Sequence, residues 1–182
     1  MSMKDVYNVQ RFRLWFFGLS LLLCGVLYFQ AEGLCREVTA PGTVFSAQVV
    51  KIIDGDTIEV RWHGEDLRMR LWGIDCPEQQ QGFSRNAREF SKRSVQGRRV
   101  EVRVKTWDKY GRLVALVEVD GSLLNEELLR AGLAWVHIYY CKEPVCREWR
   151  RLEKEARMAG RGLWQEKNPV PPWKWKQSYW NK

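Results

Sequence analysis

At 182 residues the chain is long enough for one ordinary domain with short appendages and too short for two domains with separate cores. Hydrophobic residues at 45% and charged residues at 29% sit near the globular norm, which excludes a wholly disordered chain and a polytopic membrane protein. A formal net charge of +8, with ten tryptophans and no acidic tail, favours polyanionic partners, either nucleic acid or anionic lipid headgroups.

Lys4, Arg11 and Arg13 precede an apolar run from Leu14 to Phe29, the order in which an export signal is built. The run falls between a signal core of roughly 7 to 15 residues and a spanning helix of about 20. Residues 1–33 are therefore expected to be a cleaved signal peptide or an uncleaved membrane anchor helix. Ala31-Glu32-Gly33 places small residues where a signal peptidase reads, so cleavage after Gly33 is preferred to the Val38-Thr39-Ala40 site ahead of Pro41. Cys24 and Cys35 both follow leucine, which argues against lipid attachment. Charges ahead of the run hold the N-terminus inside, so either outcome exports the rest, to a secreted, periplasmic or membrane-tethered location. Residues 34–42 are a linker.

From Thr43 the pattern turns to period two. Val44 to Ile53, Ile58-Val60-Trp62, Leu67-Met69-Leu71, Val100-Val102-Val104 and Leu113 to Val119 read as five strands, with Gly64, Asp54-Gly55 and Asp120-Gly121 supplying turns. Helical signals lie in three places. Ser84 can cap a segment burying Ala87 and Phe90, Ser122 or Asn125 can start one burying Leu124 and Leu128 before Gly132, and Val145, Trp149, Leu152 and Ala156 mark a third ending near Gly160. Five short strands with three α-helices predict an α+β domain over residues 43–164, a closed five-stranded barrel of the oligonucleotide-binding type. Beyond it, residues 165–182 read as an extended tail rich in proline, tryptophan and lysine. Asn168-Pro-Val-Pro-Pro172 cannot hold a helix, and Trp173-Lys-Trp-Lys176 follows. Its lysines and tryptophans suit nucleic acid, a membrane surface or packing on the barrel.

The residues that carry chemistry sit at the turns. Asp54-Gly55-Asp56-Thr57 is a hairpin turn with acidic corners. Arg70-Leu-Trp-Gly-Ile-Asp75-Cys-Pro-Glu78 puts an arginine on a strand's polar face and carboxylates on the loop leaving it. Asp56 and Asp75 can give a hard divalent cation two oxygens if their strands lie side by side. Glu78, behind the rigid Pro77, can accept a proton from an attacking water, and Asp108-Lys-Tyr-Gly-Arg112 adds a second guanidinium. Each acid alone is an ordinary solvated turn residue, and Arg70 alone could pair with Glu59. Together they form the set that stabilises a five-coordinate phosphorus.

In these motifs, with Asn125-Glu126, Arg130-Ala-Gly-Leu-Ala134 and Gly162-Leu-Trp164, the chain resembles the staphylococcal nuclease (thermonuclease) family from about Val44 to Trp164. The resemblance implies that the side chains of Asp56 and Asp75 and the backbone carbonyl of Cys76 bind Ca2+, that Glu78 is the general base, and that Arg70 and Arg112 bind the phosphate. Lys109 and Tyr110 would lie near a neighbouring phosphate, and Tyr140 would stack on a base. It further implies an oligonucleotide-binding barrel hydrolysing DNA and RNA, single-stranded or locally unpaired, to 3′-phosphates. Calcium is then the sole cofactor, with no small-molecule cofactor, a monomer is expected, and the membrane is a partner through the N-terminal segment if that is uncleaved. The rival reading is a catalytically silent nucleic-acid-binding module, and a third is one component of a DNA-uptake apparatus.

Five cysteines in an exported chain tend to pair. Cys141 and Cys146, separated by a run that contains Pro144, are the best disulfide candidate, and zinc is the weaker alternative for want of a second ligand pair. Trp62, Trp149 and Trp164 are expected in the core, and His63 and His137 outside the chemistry.

Overall fold

A computed structural model of the chain describes residues 40–180. The apolar run Leu14–Phe29, the cleavage position at Gly33, and Cys24 and Cys35 lie outside the described residues. In chain order the elements are β1 (Val44–Ile52), β2 (Thr57–Trp62), β3 (Glu65–Leu71), a short β4 (Ile74–Asp75), α1 (Ser84–Val95), β5 (Arg99–Trp107), β6 (Leu113–Val119), a short β7 (Ser122–Leu123), α2 (Leu124–Arg130), a short β8 (Trp135–Val136), α3 (Val145–Met158), a 3-10 turn (Gly162–Gln165) and α4 (Pro172–Trp180).

The strands pair antiparallel in the order β3-β2-β1-β5-β6, and a parallel pairing of β3 with β6, with Met69 opposite Leu113 and Leu71 opposite Ala115, closes them into the expected five-stranded barrel. Alternation drives it: Ile58, Val60 and Trp62 of β2 and Val100, Val102 and Val104 of β5 point inward, and closure buries them with no strand edge left between β3 and β6. In β1 the inward set runs Phe45, Ala47, Val49 and then slips to Ile52, because the register with β2 shifts between Val49 and Lys51. That bulge bends β1 around the barrel and aims the following Asp54-Gly55-Asp56 turn.

The three expected helices are present. α1 buries Ala87, Ser91 and Val95, α2 buries Leu124, Asn125, Leu128 and Leu129, and α3 buries Cys146, Trp149, Leu152 and Ala156. Their starts differ from expectation. Phe83, in a left-handed conformation, is the residue before α1, and the Ser84 hydroxyl donates to the Gln79 carbonyl at 3.1 Å instead of capping. Phe90 is half-buried. Ser122 belongs to β7, and Asn125 points inward from α2, so neither caps it.

Residues 172–180 also correct the sequence reading, because they form α4 and not an extended tail. Prolines do end regular structure through residue 171, but Pro172 stands at the first helical position, where its missing N–H costs nothing and its fixed φ already suits a helix. Trp173 packs on the cluster of Trp135, Ala156, Leu163 and Trp164, which holds α4 on the domain. Cys141 and Cys146 form the expected disulfide, both buried, and Cys76 is the free cysteine among the described residues. Trp62, Trp149 and Trp164 are buried as expected. Among the described residues no helix is long and apolar enough to cross a membrane.

Candidate active site

The β1–β2 turn delivers the first acid. Gly55 has no room for a side chain: a Cβ there would stand 2.7 Å from the Ala87 Cβ and 2.9 Å from the Cys76 sulfur. Its carbonyl accepts from Ser91 Oγ of α1 at 2.6 Å, so the turn is pinned to the helix. Asp56 is thereby only 2% exposed, its own N–H bonded to Asp54 Oδ1 at 3.0 Å. The second acid is placed by a different device. β4 pairs with β8, Asp75 opposite Trp135, and Asn125 donates from α2 to the Trp72 carbonyl at 2.9 Å, fixing the loop that leads to it.

Arg70 joins the two acids. From β3, opposite Thr57, it donates through Nη1 to Asp56 Oδ1 at 2.6 Å and through Nη2 to Asp75 Oδ1. The expected alternative, a pairing of Arg70 with Glu59, is not formed; Arg68 takes Glu59 instead. Asp56 Oδ2 accepts the Cys76 N–H at 2.6 Å and Oδ1 accepts from Thr57 at 3.4 Å. Burial, partly opposed by Arg70, and then the neighbouring Asp54 and Asp75 push the Asp56 carboxyl up to about 8. Burial works against the Arg70 charge, but Asp56 and Asp75 outweigh it and hold the guanidinium firmly protonated. Burial, reinforced by Asp56, also pushes the Cys76 thiol up, which makes it an unreactive packing residue.

Arg112 is built separately. Asp108 Oδ1 accepts the N–H groups of Tyr110 at 2.9 Å and Arg112 at 3.0 Å, making a tight turn, while its Oδ2 takes Arg112 Nε at 2.7 Å. Partial burial would raise the Asp108 carboxyl, yet those Arg112 and Tyr110 contacts hold it below the usual carboxylate range. The guanidinium is fixed at Nε by Asp108 and lies over the Tyr110 ring, 5.5 Å from its centroid, and Arg112 lines a cavity of about 570 Å³. Arg68, Arg70, Arg112, Glu78, Tyr110, Gly111, Asp54 and, from α4, Lys176 line this cavity. Glu78 is held at its backbone, donating to Gln81 Oε1 at 2.8 Å, while its carboxylate meets Lys176 Nζ at 2.7 Å.

Of the residues expected at the site, Arg70, Glu78, Arg112 and Tyr110 line one cavity, and Asp56 and Asp75 lie buried behind Arg70. The Lys109 ammonium sits over the Tyr110 ring, 5.1 Å from its centroid. Tyr140 is apart from the cavity lining, exposed, with its ring 4.5 Å from that of His137. Burial lowers the pKa of the half-buried His137, whose ring lies 5.5 Å from that of Trp173 of α4 at a tilt of 50°. Sequence reading missed the place of Lys176, Arg68 and Asp54 in the cavity. Asp54 stood in the same turn motif as Asp56, whereas Lys176 stood in a segment read as extended, and no spacing tied it to Glu78.

Among the described residues no three His, Cys, Asp or Glu side chains form a ready-made metal cage. The donor chemistry nevertheless suits a hard cation. Asp54, Asp56 and Asp75 crowd together, one of them pushed to about 8, and the Arg70 guanidinium is the cation that pairs with the two buried ones.

Residues 68–166 match the family described as staphylococcal nuclease homologue. A protein of Escherichia coli O157:H7 named "Uncharacterized endonuclease" is 42% identical over 130 residues, covering 71% of this chain and 83% of that protein. A "Micrococcal nuclease" of Shigella flexneri is 35% identical over 143 residues, 74% of this chain and 82% of that one. The "Staphylococcal-like nuclease CAN1" of Arabidopsis thaliana is 32% identical over 151 residues, 83% of this chain but 43% of the plant protein.

Proposed function

The chain belongs to the staphylococcal nuclease family and is a nuclease, and from that premise we propose that it hydrolyses DNA and RNA with little sequence preference, needs calcium, and leaves 3′-phosphates. One observation carries the reading: Arg70, Arg112 and Glu78 line a single cavity together with Arg68 and Asp54, and two buried acids lie directly behind Arg70.

In this reading a phosphodiester lies between Arg70 and Arg112. Glu78 accepts a proton from a water whose oxygen attacks phosphorus, and the bond from phosphorus to the 5′-oxygen breaks. Negative charge gathers on the non-bridging oxygens, where N–H donors from Arg70 and Arg112 stabilise it. Neither arginine is acidic enough to protonate the departing 5′-oxygen, so a water does so. Asp56, Asp75 and the Cys76 carbonyl would hold the calcium ion, which supplies Lewis-acid polarisation of the phosphoryl oxygen. Arg70, whose Nη groups pair with Asp56 and Asp75, would exchange a carboxylate partner for a phosphate oxygen when the substrate binds. Tyr110 and Lys109 flank the next phosphate, and Tyr140 gives a base a ring on which to stack. Export is part of the proposal, as a monomer free in the periplasm or medium or tethered at the membrane. The Cys141–Cys146 disulfide supports an oxidising location.

Release of acid-soluble nucleotides from DNA and from RNA tests this. Cleavage is expected in calcium and not in chelator, and Glu78→Gln should lower the rate by roughly 10² to 10⁴. The products should accept a new 5′-phosphate from a polynucleotide kinase without prior dephosphorylation. Cleavage in chelator, or a fully active Glu78→Gln protein, would overturn the mechanism. The N-terminal residue of the purified protein decides export form, a start near Leu34 meaning cleavage and Met1 or Ser2 an anchor.

A further inference from the structure

The cavity's fourth cation comes from outside the family match. Lys176 lies on α4, beyond residue 166 where that match ends, and its Nζ meets Glu78 Oε1 at 2.7 Å on the same cavity lined by Arg70 and Arg112. Its delivery is structural. Gln81, in the loop that carries Glu78, ties the two segments together. Its backbone N–H donates to the Glu78 carbonyl and its Oε1 accepts the Glu78 N–H, both at 2.8 Å, while its Nε2 donates to the Val170 carbonyl at 2.8 Å, just ahead of α4. Trp173, one turn before Lys176, is anchored on the Trp135–Trp164 cluster and on His137. The base of the lysine is therefore fixed, and its flexible stem places the ammonium in the cavity.

The ion pair itself is only loosely held. Lys176 is 48% exposed and Glu78 33%, and pairs this wet contribute little to stability and exchange readily. A nucleic-acid strand brings a phosphate at every nucleotide into the same space, and an ammonium beside the three guanidiniums of Arg68, Arg70 and Arg112 lies on its path. The carboxylate that now holds Lys176 is also the one that, in this reading, accepts the proton of the attacking water.

The geometry points to Lys176 as a further substrate-binding residue: in the free protein its ammonium rests on Glu78, and when a strand enters it passes to a strand phosphate, which clears Glu78 for water. This rests on Glu78 being the base, as read above. The exchange moves no proton and breaks no covalent bond; one ion pair replaces another.

Binding of a fluorescent single-stranded oligonucleotide with a nuclease-resistant phosphorothioate backbone, in calcium and over a series of salt concentrations, tests the contact apart from cleavage. Lys176→Ala should weaken binding roughly fivefold at about 0.1 M salt and flatten the slope of log K against log salt by about 0.7, with Lys176→Arg restoring both. On cleavable DNA the alanine variant should raise KM and leave kcat unchanged. Equal affinity and slope in the native and alanine proteins would overturn the proposal, leaving a surface ion pair. Tighter binding, or a higher kcat, in the alanine variant would overturn it in the other direction, making Lys176 a plug. If Glu78→Gln cleaves at the native rate while the Lys176→Ala protein still loses slope, the base assignment falls and the phosphate contact stands.

Discussion

Asp56 offers two carboxylate oxygens, and Arg70, Thr57 and the Cys76 N–H all reach them, yet its proton is held to about 8 because burial, Asp54 and Asp75 act against its charge. The consequence for stability has a definite sign. Between about pH 4, where an unfolded aspartate ionises, and pH 8 the native protein keeps a proton that the unfolded chain has lost. Stability without metal is therefore full below that window and falls as pH rises through it. Thermal melts in chelator from pH 5 to pH 8 should show the midpoint dropping, and Asp56→Asn should flatten the slope. Calcium should raise the midpoint most at the alkaline end, where the ionised site binds it best. A flat profile in chelator would remove the crowded-acid account. Sequence reading reached these residues because each sits in a short turn motif whose neighbours are fixed by chain proximity: Asp54-Gly55-Asp56, Arg70 through Glu78, Asp108 through Arg112. What it left out was pairing at a distance. Nothing in the spacing says that Arg70 bridges both acids and Arg68 takes Glu59, because that choice depends on which face of β3 each residue occupies.

At the level of elements, hydrophobic period sufficed for strands and helices and failed for the ends. The slip from Val49 to Ile52 in β1 marks a bulge only once β2 is seen beside it. α4 was illegible for a different reason: its first residue is proline, its moment is diluted by tryptophans on several sides, and its docking partners Gln81, His137 and the Trp135–Trp164 cluster come from distant chain segments. Two of the quoted motifs acquire a packing explanation here. Gly132 and Gly162 both have positive φ, and their backbones cross so closely that a Cβ on Gly132 would collide with the Arg161 carbonyl and one on Gly162 with the Gly132 carbonyl. The crossing is fixed by the Leu163 N–H donating to the Gly132 carbonyl at 2.8 Å. Gly132→Ala should cost at least about 2 kcal/mol in chemical denaturation, combining left-handed strain with an immovable backbone clash. Gly97→Ala is the control: φ is again positive but the space is open, and a loss near 1 kcal/mol is expected. Equal losses at the two positions would mean that strain, not the crossing, explains the motif.

For the whole molecule, the disulfide sets how far the stability of the domain depends on an oxidising environment. The Cys141–Cys146 bridge closes a loop between the exposed Tyr139-Tyr140 stretch and α3, and both of its residues are fully buried, so it constrains the unfolded chain and fills the core beneath Gly73. A loop this short is worth about 2 kcal/mol in the chain-entropy account. For a domain of this size that is a fall of roughly 4 to 8 °C in the midpoint on adding reductant. Cys76 supplies the internal control. It is buried behind the acid cluster, so a thiol reagent applied to the native protein should leave it unmodified, and the shift belongs to the bridge alone. The Cys141→Ala, Cys146→Ala double variant should melt where the reduced protein does and should not respond to reductant. If reductant leaves the native midpoint unmoved, the bridge adds nothing to stability, and the argument from disulfide to an exported enzyme loses its physical ground, leaving the apolar segment ahead of the domain as its remaining support.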